Sequence, residues 1–123
     1  MEIASFFLDT YALHEIISGN PAYKRYEGVT FVTSRLNLME LYYGLLVKSG
    51  KKIAEENYDI MAKYAVEPDD DSIKEAMEFR MANRKLNLSY VDCVGYVIAR
   101  RHDLLFLTGD AAFRDMKGVE YVK

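Results

Sequence analysis

Four acidic residues far apart in the sequence each adjoin an apolar segment: Asp9, Glu40, Asp92 and Asp110. Carboxylates gathered away from basic partners are costly to bury unless a cation neutralises them. Their oxygen atoms are the ligands that Mg²⁺ and Mn²⁺ prefer in proteins. If the fold brings the four together, they predict a divalent-metal site suited to hydrolysis of a phosphodiester bond.

Short β-branched and aromatic runs alternate with helical patterns along the chain. Strands separated by helices favour parallel pairing with helices on both faces of the sheet. We therefore expect a single domain over residues 1–123, folded as a three-layer α/β/α sandwich with a central parallel sheet of about five short strands. The predicted strands span 2–8, 29–33, 64–67, 104–107 and 119–122, and the predicted helices span 11–18, 34–48, 51–63, 70–85 and 89–101, with a helical turn over 110–115.

The order of these elements indicates how the acids could converge. In open parallel sheets, ligands bind beyond the carboxyl ends of the strands, where the winding direction switches. Asp9 ends the first predicted strand and Asp110 follows the fourth. If those two strands are neighbours, their carboxylates share one crevice, and Glu40 and Asp92 reach it from helices. The sequence leaves this adjacency open.

Three of the acids also have a purely structural explanation. Asp9 and Asp110 precede helical segments, where aspartate commonly caps the helix. Asp92 stands three residues after Ser89, which matches a capping box. However, no cation lies three or four residues from Asp92 to pair with it on its own helix. Asp92 therefore has the strongest individual case for a functional role.

Glu40 is the weakest of the four when taken alone. Its helix is apolar around most of its circumference, and an exposed glutamate is the simplest interpretation of a residue at the edge of the polar arc. That arc holds Asn37, Glu40, Gly44 and Lys48.

Other polar features do not indicate a site. The run Asp69-Asp70-Asp71 follows Pro68 and precedes a helix, where acids complement the helix dipole. His14 and His102 have no Cys or His partner at the spacing of a zinc site. Cys93 has no nearby His to activate it and is interpreted as a buried thiol.

Composition restricts the class of protein. Half of the residues are apolar and only two are proline, as expected for a packed globule. The single cysteine excludes an internal disulfide and, with no signal peptide or membrane span predicted, indicates a cytoplasmic protein. The net charge of −3 argues against indiscriminate nucleic-acid binding, although two bound Mg²⁺ ions would make it positive.

Four segments in order carry a family resemblance over essentially the whole chain: Phe7–Thr10, Val32–Leu41, Leu88–Asp92 and Leu107–Phe113. The chain resembles PIN-domain nucleases, especially the VapC-type toxin ribonucleases of prokaryotic toxin–antitoxin pairs. The resemblance implies a PIN-like fold and a Mg²⁺- or Mn²⁺-dependent endoribonuclease, held inactive by a small antitoxin protein. It implies catalytic, metal-binding carboxylates at Asp9, Glu40, Asp92 and Asp110, with supporting hydroxyl groups at Thr10, Ser34 and Thr108.

The chain departs from the family pattern at three positions. Tyr11 stands where a small residue is common, and Cys93 stands where alanine is common. Gly109 stands where a larger polar residue often precedes the last acid. We expect Tyr11 to narrow the site and Gly109 to loosen the position of Asp110.

The substrate and partner surfaces are less well marked. Arg35 and Lys85 are the candidate RNA contacts nearest the predicted site in the sequence. An apolar surface for an antitoxin peptide or for the second subunit of a homodimer could be formed by Tyr42, Tyr43, Tyr58 and Tyr64. Three alternative functions stay open: a stand-alone RNA-processing nuclease, a phospho-acceptor domain, and a catalytically silent interaction module.

Overall fold

The computed structural model of the protein describes residues 5–123. Residues 2–4, with which the first strand was predicted to begin, lie outside the described residues. The strands are β1 (Ser5–Leu8), β2 (Thr30–Ser34), β3 (Ala65–Val66), β4 (Leu105–Thr108) and β5 (Val119–Tyr121). The helices are α1 (Thr10–Ser18), α2 (Arg35–Ser49), α3 (Lys51–Ala62), α4 (Asp70–Ala82) and α5 (Tyr90–Arg101), with short 3₁₀ segments at Pro21–Tyr26, Arg84–Leu86 and Ala111–Phe113.

The five strands form one parallel sheet in the order β3-β2-β1-β4-β5. The central strand β1 pairs with β2 on one side and with β4 on the other, with Phe7 opposite Val32 and Phe106. The pairing continues past the end of β1, because Asp9 N donates to the Leu107 carbonyl oxygen at 3.3 Å. The adjacency of β1 and β4 that the sequence left open is therefore confirmed.

Alternate residues of β1 face the two helical layers, as a pleated strand requires. Phe6 and Leu8 belong to the core beneath α1, α2 and α3. Phe7 belongs to the core beneath α4 and α5. Cys93–Ala99 of α5 are all buried, as the apolar pattern predicted. The expected α/β sandwich is thus confirmed.

Two helical features depart most from the prediction. The 3₁₀ segment Pro21–Tyr26 was not predicted; Asn20 caps it by accepting from Ala22 N at 2.9 Å. Helix α4 ends at Ala82 rather than at residue 85, because the Asn83 side-chain amide donates to the Phe79 carbonyl oxygen at 2.9 Å and so closes the last turn.

No helix within residues 5–123 combines the length and the apolar character that a membrane span requires.

Candidate metal centre

The four acids meet in one cavity of about 470 Å³ at the carboxyl ends of β1 and β4. They come from four different elements, and no Lys, Arg or His of the described residues lines the cavity with them. The lining residues are Asp9, Thr10, Tyr11, Glu40, Ser89, Asp92, Gly109, Asp110 and Ala111.

Asp9 lies where β1 passes into α1 and is only 2% exposed. Its Oδ1 accepts from Ala12 N at 2.8 Å and caps α1, while its Oδ2 accepts from the Thr108 hydroxyl. The pKa of Asp9 is raised to about 7, chiefly by burial; the two hydrogen bonds oppose the rise, and the charges of Asp92 and Asp110 add to it. Asp9 is therefore both a cap and a carboxylate whose charged form is costly without a cation.

Asp92 lies in the first turn of α5 and is half-buried. Its backbone N donates to Ser89 Oγ at 3.0 Å, so the predicted cap is present. Burial raises the pKa of Asp92 to about 6, and the charges of Glu40 and Asp110 also raise it, against a hydrogen bond from Ser89. Asp92 takes part in none of the ion pairs found within residues 5–123.

Glu40 is held by a chain of uncharged side chains. Thr10 Oγ1 donates to Glu40 Oε1 at 2.7 Å, and Asn37 Nδ2 donates to Thr10 Oγ1 at 3.1 Å. Ser34 Oγ in turn donates to Asn37 Oδ1 at 2.6 Å. Glu40 is thus a positioned, half-buried acid rather than the freely exposed glutamate that its helix alone suggested.

Asn37 is the residue that sequence reasoning missed. It is fully buried, and it connects the N-cap of α2 to the hydroxyl that contacts Glu40. A signal was available, because Asn37 shares the polar arc of α2 with Glu40 and stands three residues after Ser34. A buried polar side chain requires hydrogen-bond partners, and here those partners form the support of the site.

Asp110 and Asp9 are joined through Thr108. The Thr108 hydroxyl donates to Asp9 Oδ2 and accepts from Asp110 N at 3.0 Å. Asp110 Oδ1 also accepts from Ala112 N at 2.9 Å, which caps the following 3₁₀ segment. Of the three predicted supporting hydroxyl groups, Thr10 and Thr108 contact an acid, and Ser34 is connected to Glu40 only through Asn37 and Thr10.

Tyr11 and Gly109, two of the departures from the family pattern, lie against each other. A Cβ atom at position 109 would stand 2.0 Å from a ring carbon of Tyr11, so any larger residue there would displace the ring. Gly109 thus leaves the space that the Tyr11 ring occupies at the mouth of the cavity.

Arg35 and Lys85, the predicted RNA contacts, do not line the cavity. Arg35 Nε lies 3.2 Å from Glu67 Oε1 in an exposed ion pair. Lys85 lies in the 3₁₀ segment that follows α4. Their contact with RNA stays a prediction.

A family model described as PIN domain matches residues 6–119. The chain belongs to the PIN domain family. The match covers most of the chain, including the four elements that carry the acids. No curated protein matches the sequence significantly.

Solved structures resemble this PIN domain over nearly their whole length. VapC20 of Mycobacterium tuberculosis, described as a sarcin–ricin loop cleaving toxin, superposes with a TM-score of 0.82 at 18% identity, covering 96% of this chain and 99% of that one. VapBC2 of Rickettsia felis, bound to a DNA fragment from its promoter, gives 0.74 at 17% identity, covering 97% and 99%. A toxin–antitoxin complex from Klebsiella pneumoniae gives 0.73 at 18% identity, covering 94% and 95%. At these identities the likeness establishes the fold.

The donor atoms of this PIN domain fit a hard divalent cation. The four carboxylates offer only oxygen, and burial raises the pKa of Asp9 and Asp92, so a bound cation would favour their charged forms. Among the described residues, no three His, Cys, Asp or Glu side chains are arranged to chelate one ion by themselves. A cation here would therefore be held by one or two carboxylates and by water, which is the usual coordination of Mg²⁺ in proteins.

Proposed function

We propose that this PIN domain is a Mg²⁺- or Mn²⁺-dependent endoribonuclease that hydrolyses RNA phosphodiester bonds, and that it is the toxin of a toxin–antitoxin pair. The observation that carries the proposal is the convergence of four carboxylates from four elements in a cavity with no basic lining residue. A phosphate-hydrolysing site needs such uncompensated charge to hold its cations. The description of VapC20 as a loop-cleaving toxin supports the same activity.

The environments of the acids suggest distinct roles. Asp9 and Asp92 are the proposed direct ligands; in support, burial raises the pKa of both, and a bound cation would stabilise their charged forms. Glu40 and Asp110 are the proposed ligands through water, or the groups that orient the attacking water. The bound cation would supply Lewis-acid activation of water and of the phosphate group.

The uncharged residues hold the acids in position. Thr108 orients Asp9 and the backbone of Asp110 together. Thr10, backed by Asn37, holds Glu40 Oε1, and no hydrogen bond within residues 5–123 engages Glu40 Oε2, which would be available to accept one from a water molecule. Such supporting hydrogen bonds typically change metal affinity or activity by about 10- to 100-fold when removed.

A small antitoxin protein is the proposed partner, with RNA as the substrate and the cytoplasm as the location. Two of the structural neighbours are toxin–antitoxin assemblies. The outer side of α2 exposes large apolar side chains on which a partner could pack, namely Met39, Tyr43 and Val47 at 57%, 70% and 72% exposure. A homodimer stays a prediction, to be tested by light scattering.

The nuclease proposal is tested with purified protein and a structured RNA substrate. We expect cleavage with Mg²⁺ or Mn²⁺, none with a chelator, and a loss of about 100-fold or more in the Asp92→Asn variant. The matched control is Asp71→Asn, which removes an exposed acid elsewhere and should leave the rate unchanged. Equal cleavage by wild type and Asp92→Asn would exclude the proposed site.

The antitoxin proposal is tested first by reading the DNA sequence next to the gene that encodes this chain. A short open reading frame immediately upstream that encodes a small DNA-binding protein is expected, and its product should co-purify with this chain and suppress cleavage. If no such neighbour exists and the chain still cleaves RNA, a stand-alone RNA-processing nuclease is the correct interpretation.

A further inference from the structure

A basic and aromatic cluster lies close in the sequence to a residue that lines the acid cavity. Tyr90 opens α5 directly after Ser89, which lines the cavity, and Tyr90 is 64% exposed. The guanidinium of Arg80 lies 4.5 Å from the centre of the Tyr90 ring. Arg80 Nε donates to the Leu88 carbonyl oxygen at 2.8 Å, which holds the guanidinium in place. The ring is therefore backed by a fixed cation while most of the residue stays open to solvent.

More positive charge lies beside this pair. Arg84 and Lys85 follow Arg80 by about one helical turn and are exposed. None of the three cations belongs to an ion pair within residues 5–123. The chain carries a net charge of −3, so three cations close together in the sequence that join no ion pair within residues 5–123 are a local excess of positive charge.

The contacts within the fold account for the presence of Arg80 but not for that of Tyr90. Arg80 closes the connection between α4 and α5 through the Leu88 carbonyl oxygen and would do so without an aromatic neighbour. The Tyr90 ring adds little to the core at this exposure, and a cation–π contact at an exposed site is weak. A single exposed tyrosine is ordinary. What indicates a ligand is that an exposed ring, in contact with Arg80 and close in the chain to further cations, directly follows a residue of the acid cavity.

We propose that Tyr90 is a stacking platform for an unpaired nucleobase of single-stranded RNA, with Arg84 and Lys85 contacting the adjoining phosphates. The inference rests on the proposed nuclease function and assigns to it a residue that contacts a base of the substrate. An aromatic ring can stack on a base only where the base is not already stacked in a duplex. A strand held at Tyr90, which directly follows Ser89 of the cavity lining, is proposed to continue to the acids.

Binding is measured with a fluorescein-labelled single-stranded oligoribonucleotide of about a dozen nucleotides, in chelator so that cleavage does not interfere. We expect Tyr90→Ala to weaken binding by about 5- to 150-fold and Tyr90→Phe to change it little, because the ring rather than the hydroxyl carries the stacking. The matched control is Tyr43→Ala on α2, a 70% exposed tyrosine, which should leave affinity unchanged. Arg84→Ala and Lys85→Ala should each lower the slope of the logarithm of the binding constant against the logarithm of the salt concentration by about one.

The absence of tryptophan from the chain offers a second readout. A Tyr90→Trp variant carries a single indole, whose fluorescence should be quenched by the single strand and not by a duplex of the same sequence. A Tyr43→Trp variant should respond to neither. Circular dichroism of each variant checks that the fold is intact, which the exposure of both positions favours.

The outcomes separate this inference from the nuclease proposal. Equal affinity of wild type and Tyr90→Ala for the single strand, or quenching by duplex as strong as by single strand, would overturn the platform even if wild type cleaves RNA. Conversely, Tyr90-dependent binding of single strands by a protein that cleaves no RNA with Mn²⁺ would support the platform and refute the nuclease.

Discussion

Two groups of acids in this chain have opposite electrostatic environments. The site acids (Asp9, Glu40, Asp92 and Asp110) line one cavity with no cation among its described lining residues, and the helix-start acids (Asp69, Asp70 and Asp71) are exposed at the beginning of α4. Burial raises the pKa values of Asp9 and Asp92. Hydrogen bonds from Ser72, and then the charge of Arg101, lower the pKa of Asp69.

The difference shows that the density of acids in the sequence is a poor guide to a site. The helix-start acids are the densest run, yet each is solvated and Asp69 serves the helix by accepting from Ser72 N at 2.8 Å. The site acids are scattered along the chain and meet only in the folded protein. They are held at a cost in stability that a cation would relieve. The following predictions test this contrast, from the largest expected effect to the smallest.

Asp9→Asn should reduce RNA cleavage by about 100-fold or more, because it removes the charge of a proposed direct ligand while keeping an oxygen to cap α1. Asp70→Asn, the same substitution among the helix-start acids, should leave the rate within about twofold. Initial rates with saturating Mn²⁺ measure both. Comparable losses in the two variants would abolish the distinction between the groups.

The metal-free protein should become more stable when a site acid loses its charge. Asp9→Asn should raise the free energy of unfolding at pH 7.5 by on the order of 1–2 kcal/mol in urea titrations with chelator. Mn²⁺ at 100 times its dissociation constant should stabilise the wild type by about 2.7 kcal/mol and the variant by much less. A variant less stable than wild type in chelator would show that the buried charge is already compensated.

The pH dependence of stability should have opposite signs for the two groups. The pKa of Asp9 rises from 3.8 to about 7 and that of Asp92 to about 6, so the folded state binds more protons than the unfolded state between about pH 4 and pH 7. Their contribution therefore weakens stability as the pH rises through that window. The lowered pKa of Asp69 gives a contribution that is present above about pH 4 and lost at lower pH.

Urea midpoints of the metal-free protein between pH 4.5 and 7.5 measure the slope of its stability against pH. The Asp9→Asn, Asp92→Asn double variant should lose most of it, while Asp69→Asn should keep it. The other charges facing Asp9 and Asp92 belong to Glu40 and Asp110, and they remain in the double variant as an internal control. An unchanged slope in the double variant would contradict the assignment.

The uncharged residues that position the acids should contribute less to RNA cleavage than the acids themselves. Asn37→Ala removes the donor to Thr10 and should lower cleavage by about 10-fold through misplacement of Glu40. Thr10→Ala should have a similar effect, and the two losses should not add, because both act on Glu40 through one chain of hydrogen bonds. Fully additive losses would indicate that Asn37 acts on stability rather than on Glu40.

Much of the fold was predictable because its signals are local. The β-branched and aromatic runs, the caps at Asp9 and Ser89 and the apolar face of α5 depend on residues within a few positions of one another. The 3₁₀ segment Pro21–Tyr26 was missed because tertiary contacts hold it: Tyr26 Oη donates to Glu120 Oε2, 94 residues away, at 2.6 Å. Glu40 was undervalued for the same reason, since its partner Thr10 lies on another helix.

The sequence by itself determined which acids the chain has, that two of them cap helical segments, and that strands and helices alternate. Only the tertiary structure decided that β1 and β4 are neighbours, so that Asp9 and Thr108, 99 residues apart, form one hydrogen bond. It also decided that Gly109 makes room for Tyr11. Helix caps and strand runs are set by neighbours along the chain, whereas a carboxylate cluster depends on the order in which strands pack.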